Sequence, residues 1–587
     1  MGGFSKRSCY FLPYLYSFIP GKILGSAMNH WAELVSFFLF LLGTSLFLGR
    51  YLWILFKDHP SFTLPIFSST EAKIYKICSI DCEEEMTAKN YMMALLFFNL
   101  LGLAFLFALL LLQGVLPLNP ENLSGVEPLL ALNTAISFTT NTNWQAYAGE
   151  TTLSYLSGML GLTVQNYLSA ATGFAALLTL IRGFTRQNST TVGNFWKDLT
   201  RFTLYVLLPL SLLFSLFLVS QGAIQTLEGA LTVETLENAK QTIPRGPAAS
   251  QVAIKQIGSN GGGFFNANSA HPFENPTPLT NFLETWAILI IPGATLYMYA
   301  LMIESKKEAA PIFACLLIFF LTSVFASFLS EIAVNPNMAV NPVLEGKETR
   351  FGIYNSVLFA NATTATSNGS TNCSHSSLSP LAGGLCLFNM MLGEVIFGGV
   401  GVGLAGLLLF ILLTVFLSGL MVGRTPEYLG KKVEKQEMKW VMLALLFPSL
   451  LILLGAAIAL SLPSVLDTLT EGPHGLTEIL YAFTSAAANN GSAFASLNAN
   501  TPFFNVVLSV IMLASRLTIL LAAIAIGGHL ALKKRGGISL GSFSTASPLF
   551  GLLLFFVIFI VAGLTFFPAL SLGPILEEML MRRSVVF

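Results

Sequence analysis

The chain has 587 residues, of which 54% are hydrophobic and only 10% are charged. Soluble domains carry about 25% charged residues, so this composition argues against a soluble domain and indicates a membrane protein. The formal net charge is zero, which argues against nucleic acid as a partner. No histidine accompanies the close cysteine pair Cys78 and Cys82 to complete a zinc site, and we interpret the six cysteines as ordinary thiols.

Residues 1–31 form a leader before the first apolar run. The leader is rich in aromatic residues, contains Lys6, Arg7 and Lys22, and has no clear small-residue cleavage site. Two interpretations of residues 1–28 stay open. They form a signal-like segment, or they lie upstream of Met28 as the true first residue.

Apolar runs of about 20 residues follow, the length that crosses the hydrocarbon core of a bilayer. Ten such runs lie near 32–56, 92–116, 155–181, 202–220, 283–302, 312–330, 389–422, 440–461, 504–530 and 548–568. They predict an all-α polytopic membrane protein with about ten transmembrane helices. Lysine and arginine concentrate in the loops that lie inside if the N-terminus is outside, which predicts that orientation.

Four polar loops lie in the segments predicted to be outside. They are Thr140–Asn143, Gly258–Gly261, Thr366–Gly369 and Ala488–Gly491. Each loop ends in Gly or Asn, the residues that adopt left-handed backbone angles most readily. Each also follows a short apolar stretch that is too brief to cross the bilayer, namely 124–138, 247–257, 353–365 and 476–487.

The loops predict a filter for a dehydrated monovalent cation. Irregular backbone at membrane depth persists only where it is buried in protein or lines a watery cavity, and rings of backbone carbonyls replace the hydration shell of potassium. The loops contain no carboxylate cage of the kind that calcium prefers. A single loop of this composition would be a surface turn, but four in the same sequence context favour the filter.

Outside segments 117–154 and 462–502 are acidic and contain no Lys or Arg. Acidic segments of this kind concentrate cations near the surface.

The unit of span, short helix, polar loop and span therefore occurs four times. We predict repeats over 92–181, 202–302, 312–422 and 440–530, with filter loops at 140–143, 258–261, 366–369 and 488–491. The spans 32–56 and 548–568 flank these repeats. Such repeats would bring the four loops together around one ion path.

Two charged residues inside the spans stand out. Arg516 is the only charge in 504–530 and lies about 20 Å below its outer end at 1.5 Å per residue. Intramembrane charges are functional by default, so we predict that Arg516 stops the ion below the filter; the alternative is a structural arginine that binds loop carbonyls. Glu394 lies near filter depth and is predicted to hold the shape of the filter by accepting hydrogen bonds from loop amides.

The run 389–422 is longer than a bilayer core requires. Its glycine-rich part, 398–403, is where a helix would break, and Gly399 and Gly401 would then lie beneath the filter, where a break can gate or divert the ion. Close helix packing through Gly399 and Gly403 explains the same glycines equally well.

Several segments resemble one known family closely. They are FTTNTNWQAY at 138–147, GSNGGGFFNANSAHPFENP at 258–276, GEVIFGGVG at 393–401 and GRTPEYLGKK at 423–432. They resemble the potassium-binding A subunits (KdpA) of the bacterial Kdp potassium-transporting ATPase, within the potassium-transporter superfamily with four pore-loop repeats, and the resemblance covers roughly residues 30 to 575. It implies an inner-membrane subunit without a catalytic site or nucleotide, which takes potassium from outside and passes it to a P-type ATPase subunit, with small accessory membrane subunits in the complex.

The resemblance also implies roles for individual residues. The implied potassium-binding residues are Asn141, Thr142, Asn143, Gly258, Ser259, Asn260, Gly261, Thr366, Ser367, Asn368, Gly369, Asn489, Asn490 and Gly491. Gln145 matches a family residue beside the filter. The basic loop with Arg424, Lys431 and Lys432 is implied to contact the ATPase partner, although a solvated positive-inside loop has the same composition. Ala488 stands where a further Asn is expected, the stretch 370–379 departs from the family pattern, and the leader has no counterpart.

The chain has no phosphate-binding loop and no Asp-Lys-Thr-Gly phosphorylation sequence, so ATP-driven transport would need a partner.

Two other classes of function are alternatives to this interpretation. A stand-alone channel or ion-coupled transporter of the Trk or Ktr type would use the same four loops, but lacks the two flanking spans. A proton-pumping subunit or membrane enzyme would need chains of ionisable groups inside the spans.

Overall fold

The computed structural model describes residues 21–57, 65–393, 395–536 and 544–585. Its α-helices are α1 Gly21–Phe56, α2 Pro65–Ile77, α3 Ala88–Leu112, α4 Pro128–Thr139, α5 Gly149–Thr152, α6 Val164–Thr185, α7 Phe195–Phe202, α8 Leu208–Ser220, α9 Ala248–Ile257, α10 Pro278–Met302, α11 Lys306–Ile332, α12 Gly352–Ala365, α13 Pro380–Met391, α14 Val402–Val422, α15 Lys435–Leu460, α16 Pro463–Leu466, α17 Pro473–Ala488, α18 Pro502–Leu532, α19 Pro548–Leu570 and α20 Leu576–Arg582. Wider π-helical turns lead into α6 (Ser157–Thr163), join α7 to α8 (Thr203–Leu207) and join α19 to α20 (Ser571–Ile575).

Within the described residues, three small antiparallel sheets lie in the connections between helices. Each has two strands: β1 Met86–Thr87 with β2 Thr191–Gly193, β3 Leu231–Glu234 with β4 Lys240–Ile243, and β5 Glu427–Tyr428 with β6 Lys431–Lys432. The fold is therefore predominantly helical, as predicted.

Ten segments of the described chain are helical, long and apolar enough to cross a membrane. They are Ala32–Phe56, Ala88–Val115, Ser157–Thr185, Phe195–Ser220, Pro278–Met302, Lys306–Ile332, Val402–Val422, Lys435–Leu460, Pro502–Leu532 and Pro548–Arg582. The prediction of ten spans is confirmed, and the protein is a multi-pass membrane protein. Of the predicted leader, residues 1–20 lie outside the described residues, and α1 already begins at Gly21.

Capping residues set where several spans begin. The hydroxyls of Thr87, Thr277 and Thr501 accept hydrogen bonds from the first-turn backbone N–H groups of α3, α10 and α18. Proline occupies the first turn of α10 and of α18, where its missing N–H costs nothing. These caps satisfy donors that the helix itself leaves unpaired, so each of these helices begins at a defined residue.

The second span of each repeat forms the centre of the molecule. Between 56% and 89% of the residues are buried in the most apolar windows of α6, α10, α14 and α18, against 22% to 44% for the first spans of the same repeats. The helices α4, α9, α12 and α17 lie between the two spans of each repeat and have only 12, 10, 14 and 16 residues. They are too short to cross the bilayer, and each leads into one of the polar loops.

The predicted span 389–422 is broken in the structure. Helix α13 ends at Met391 and α14 begins at Val402, and between them Gly393, Phe397 and Gly401 have positive φ angles of 80°, 49° and 78°. A non-glycine residue such as Phe397 adopts this conformation only when its surroundings hold it there. The glycine-rich segment is thus the point of interruption, as its composition predicted.

The loop between α14 and α15 is anchored by a buried lysine. Lys431 is fully buried in β6, and its ammonium donates hydrogen bonds to Gly183 O and Leu530 O, both at 2.7 Å, and also to Arg186 O. These carbonyls lie at the C-terminal ends of α6 and α18, where the helix no longer supplies its usual donor four residues further on. A cation there also complements the helix dipoles, so Lys431 ties the loop to two central spans.

We expect Lys431→Met to lower the stability of the protein by about 2 kcal/mol, the size of the loss of hydrogen bonds to a charged group. The matched control is Lys432→Met on the same strand, because the Lys432 side chain is exposed. Thermal unfolding in detergent measures the difference. Equal midpoints for the two variants would contradict the anchoring role of Lys431.

Candidate functional site

The four polar loops meet at one place among the central spans. Every residue of the loops is buried apart from Ala488 and Gly491, which are partly exposed. Their side chains are exposed by at most 4% at Thr140, Asn141, Thr142, Asn143, Ser259, Asn260, Thr366, Ser367, Asn368, Asn489 and Asn490. Polar loops of this kind are stable in a protein interior only if their backbone groups find partners, and those partners come from the neighbouring loops.

Three of the loops share one turn conformation. The N–H of the third loop residue donates to the carbonyl five residues before it, in the pairs Thr142 to Ser137 (2.9 Å), Asn260 to Lys255 (2.8 Å) and Asn490 to Ser485 (2.8 Å). The second and fourth residues of these loops have positive φ, at Asn141 (62°), Asn143 (54°), Ser259 (48°), Gly261 (86°), Asn489 (57°) and Gly491 (98°). The predicted left-handed final residue is therefore present in loops 140–143, 258–261 and 488–491.

The loop 366–369 has a different conformation. Neither Ser367 nor Gly369 has a positive φ, and the N–H of Asn368 turns back to Thr366 O at 2.5 Å. The expectation that each loop ends in a left-handed residue is wrong for Gly369. The loop also differs in its neighbours, since Ser367 lies against the broken span: a Cβ on Gly399 would lie 2.6 Å from the Cβ of Ser367.

Glycines allow each loop to approach the next one around a ring. A Cβ on Gly261 would lie 2.2 Å from the backbone N of Gly369, and one on Gly369 would lie 2.5 Å from Asn490 O. A Cβ on Gly491 would lie 2.0 Å from Thr142 O. Real Cβ atoms do not approach backbone this closely, so at these three positions only glycine fits.

Asparagine amides tie each loop to the preceding repeat. Asn260 Nδ2 donates to Asn141 Oδ1 at 2.5 Å, and Asn368 Nδ2 donates to Lys255 O at 3.1 Å. Asn490 Nδ2 donates to three carbonyls of the third repeat, at Thr363 (2.8 Å), Thr366 (3.1 Å) and Asn368 (3.2 Å). The amide of the third loop residue therefore makes the same type of link in three repeats.

The first loop closes the ring with different side chains. Its third residue is Thr142, whose Oγ1 accepts a hydrogen bond from Asn489 Nδ2 at 3.0 Å. In the other direction, Asn141 Nδ2 donates to Ser259 O at 2.8 Å and Asn143 Nδ2 donates to Gly261 O at 3.1 Å. Every loop is thus bonded or in close contact with both neighbours, and the ring is closed.

Gln145 lies beside the ring, as the resemblance implied. Its Nε2 donates to Gly263 O at 3.2 Å and to the Tyr147 hydroxyl at 3.1 Å. Its Oε1 accepts from Gly263 N at 2.9 Å. The side-chain amide of Gln145 therefore pairs with both the N–H and the C=O of Gly263, and these bonds fix the chain immediately after the second loop.

The broken span and Arg516 meet beside Gly173 of α6. A Cβ on Gly401 would lie 2.4 Å from Gly173 O in α6. A Cβ on Gly173 would in turn lie 2.7 Å from Val400 O and 3.0 Å from Arg516 Nη2. Arg516 is buried, with 3% of its surface exposed. Gly401 therefore allows close packing against α6 as well as lying in the interruption between α13 and α14.

The remaining predicted site residues lie in or near other segments. Glu394 lies outside the described residues. In the loop predicted to contact a partner, Arg424 and Lys432 are exposed, whereas the ammonium of Lys431 is occupied by the carbonyls described above. Partner contact by the Lys431 side chain would require these bonds to break, so of the three predicted residues Arg424 and Lys432 are the ones that are accessible.

The ring offers neutral oxygen atoms to a cation. Within the described part of the chain, neither Asn143 Oδ1 nor Asn260 Oδ1 receives a hydrogen bond, although both are buried. The same part of the chain contains no group of three or more His, Cys, Asp or Glu residues that could hold a metal ion. Carbonyl and amide oxygens without carboxylates suit a monovalent cation better than calcium.

Sequence reasoning missed several residues that hold the ring. Asn166 and Ser169 of α6 bond to it: Asn166 Oδ1 accepts from Asn143 Nδ2 at 2.6 Å, and the Ser169 hydroxyl donates to Asn141 Oδ1 at 2.9 Å. Lys255 of α9 is a second example. The available signal was the presence of amide, hydroxyl and ammonium groups inside runs that are otherwise apolar, since buried polar groups require partners.

The fold and the ring together define a polytopic membrane protein with four pore loops in one chain. Residues 35–579 match the model of the family described as the potassium-transporting ATPase A subunit, and the chain belongs to this family.

Three relatives are each described as a potassium-transporting ATPase potassium-binding subunit. The protein of Leptospira interrogans is 50% identical over 565 residues, covering 95% of this chain and all of the relative. The protein of Pseudomonas aeruginosa is 50% identical, covering 93% and 98%, and that of Rhodospirillum centenum is 51% identical, covering 92% and 96%. Among solved structures, the potassium transporter TrkH from Vibrio parahaemolyticus has a TM-score of 0.49 and 16% identity, covering 82% of this chain and 95% of that chain.

We expect Gly369→Ala to weaken potassium binding by about five- to a hundredfold, because overpacking typically costs about 1–3 kcal/mol and the new methyl group would meet Asn490 O. Gly352→Ala is the matched control, since Gly352 has a φ of +72° but no heavy atom within 4 Å of its Cβ position. This control introduces backbone strain without touching a loop. Isothermal titration of the purified proteins measures the affinity. Wild-type affinity in Gly369→Ala would show that loop contact does not shape the site.

Proposed function

We propose that this chain binds potassium from outside at the ring of four loops and passes it into an ATP-driven uptake complex. ATP hydrolysis in this proposal belongs to a partner P-type ATPase subunit, and this chain is the non-catalytic subunit. The observation that carries the proposal is the closed ring, in which loops from four repeats bury neutral oxygen atoms around one place. Membership of the potassium-transporting ATPase A-subunit family supports it, as do the names of relatives at about 50% identity.

The proposed potassium ligands are the fourteen loop residues named from the sequence, in the segments 141–143, 258–261, 366–369 and 489–491. Gln145 supports the ring from the side of Gly263. The predicted contribution of Ala488 is the smallest, because it has no polar side-chain atom and is partly exposed. Ions held by dipoles rather than by full charges can also leave, which transport requires.

A gating role for Arg516 and for the broken span forms the second part of the proposal. The contacts at Gly173 support it, because they bring the guanidinium of Arg516 next to the segment that contains Gly399 and Gly401. A fixed positive charge there opposes the passage of a cation and retains it at the ring.

The proposed setting is the bacterial inner membrane with the N-terminus outside. The distribution of lysine and arginine supports this orientation, which places the loop with Arg424 and Lys432 inside. We propose that this loop faces the ATPase partner, and that small accessory membrane subunits complete the complex. The units proposed for the chain are the four repeats 92–181, 202–302, 312–422 and 440–530 with the flanking spans 32–56 and 548–568.

Co-purification tests the main proposal. We expect the affinity-tagged chain, isolated from its native membrane in mild detergent, to retain an ATPase whose turnover rises with potassium but not with sodium. The same preparation with Asn490→Ala should need more potassium for half-maximal turnover, because that variant loses three bonds between loops. Recovery of the chain alone, together with passive potassium conduction in liposomes, would instead support a stand-alone channel.

Charge removal tests the gate. We expect Arg516→Gln to increase passive potassium flux through the complex in liposomes without ATP by roughly tenfold, which corresponds to a barrier lower by about 1.4 kcal/mol. Arg516→Lys keeps the charge and should stay near the wild-type flux. A leak in Arg516→Lys that equals that of Arg516→Gln would assign Arg516 a structural role, since the two variants both lose the guanidinium geometry.

A further inference from the structure

A buried ion pair lies directly behind the second loop. Lys255 is in the last turns of α9, and its ammonium contacts Glu274 Oε2. Both side chains are completely buried, at 0% exposure. An isolated charge in such a place is very costly, whereas a pair that is also hydrogen bonded is tolerated. A buried pair is weak evidence of stability by itself, which raises the question of what these charges do.

The pair is bonded to the loop through several atoms. The ammonium of Lys255 also donates to Asn268 Oδ1 at 2.7 Å, and Asn268 Nδ2 donates to Gly262 O at 2.7 Å. Glu274 Oε1 accepts from Phe265 N at 2.8 Å. The side chains of Lys255, Asn268 and Glu274 therefore connect the start of the loop to the chain that returns from it.

The backbone of Lys255 belongs to the ring itself. Its carbonyl accepts hydrogen bonds from Asn260 N (2.8 Å) and Gly261 N (3.2 Å), and also from Asn368 Nδ2 of the third loop (3.1 Å). A displacement of Lys255 thus moves two loops at once. The ion pair joins the two ends of the segment from Lys255 to Glu274. The hydrogen bonds to Lys255 O connect the same segment to the second and third loops.

The other three repeats have no charge at this position. The residues three places before each loop are Ser137, Lys255, Thr363 and Ser485. The three hydroxyl residues make local hydrogen bonds within their own repeats. Ser137 donates to Trp144 O, Thr363 donates to Asn368 O, and Ser485 accepts from Gly491 N. Only the second repeat replaces a short hydroxyl by an ion pair. The second repeat is also the one that contains three consecutive glycines, Gly261–Gly263. Glycine restricts its backbone angles less than other residues do, so this loop depends most on support from outside.

We propose that Lys255, Glu274 and Asn268 are positioning residues that set the ion affinity and selectivity of the ring by fixing the carbonyls of the second loop. The proposal rests on the function proposed above. The pair has no net charge, so it orients the loop without placing an unbalanced charge beside the ion. Loss of one partner has two consequences, which differ in sign for the two residues: Glu274→Gln leaves an unbalanced ammonium beside the ion path, and Lys255→Met leaves an unbalanced carboxylate.

The test uses the intact complex with its ATPase and measures the KM for potassium, the kcat, and the ratio of rubidium to potassium turnover. We expect Glu274→Gln to raise the KM for potassium about tenfold or more with kcat changed less than about twofold, because the unbalanced cation opposes binding. Lys255→Met should discriminate less between rubidium and potassium. The double variant Lys255→Met with Glu274→Gln restores neutrality, so its KM should lie below that of Glu274→Gln alone.

The matched control is a second buried lysine–glutamate pair. Lys347 Nζ lies 2.8 Å from Glu331 Oε2, and the two side chains are exposed by only 1% and 2%. Lys347 Nζ also donates to Ser377 O, and Glu331 Oε1 accepts from Ser379 N. Within the described residues, none of these side-chain bonds reaches a residue of the four loops. We expect Lys347→Met and Glu331→Gln to lower the thermal midpoint while leaving the KM and the rubidium ratio at wild-type values.

The proposal can also be tested if the charge variants do not fold. If the charge variants fail to assemble, Asn268→Ala takes their place, because it removes the link to Gly262 while both charges remain, and it should raise the KM. A wild-type KM and rubidium ratio in assembled variants of Lys255, Glu274 or Asn268 would overturn the proposal, as would an equal rise in KM for the Lys347 and Glu331 variants. Wild-type complexes without potassium-dependent turnover would instead refute the proposed function.

Discussion

The structure depends on one constraint, that irregular backbone in a membrane interior must find its hydrogen-bond partners within the protein. The four loops leave helical structure inside a chain whose spans are almost entirely apolar. Their polar groups are satisfied by side-chain amides from adjacent repeats, for example Asn490 on three carbonyls of the third repeat. The bonds that satisfy each loop are therefore the same bonds that hold the ring together, and loop geometry and ring geometry are not independent.

A ring made from one polypeptide does not need identical members. The first loop uses Thr142 where the others use asparagine, and it closes the ring as an acceptor from Asn489. The third loop lacks left-handed residues and rests on Gly399 of the broken span. Four identical subunits would be forced to repeat every contact. In this chain each repeat supplies a different support, and the asymmetry places the interruption of α13 and α14 under one loop only.

Local properties of the chain explain what could be predicted from the sequence. Span length, helix caps and the clustering of Asn, Gly and Ser depend on neighbouring residues, so the ten spans, the four loops and the break near Gly401 could be predicted. The conformation of Gly369 could not, because glycine permits both signs of φ and its residue type does not choose between them. The burial of Lys431 was equally hidden, since its carbonyl partners come from the ends of two distant helices.

The placement of charge explains how such a ring can be both selective and reversible. The loop residues carry no formal charge. Glu274 is paired with Lys255, and Oε2 of Glu284 accepts hydrogen bonds from Gln256 and Ser269 at 2.8 Å each. A carboxylate facing the path would bind any cation tightly and release it slowly, whereas oriented dipoles of fixed spacing favour one ionic radius and still allow release. The ion pair behind the second loop keeps this balance, because it supplies the rigidity of charged bonds while its net charge stays at zero.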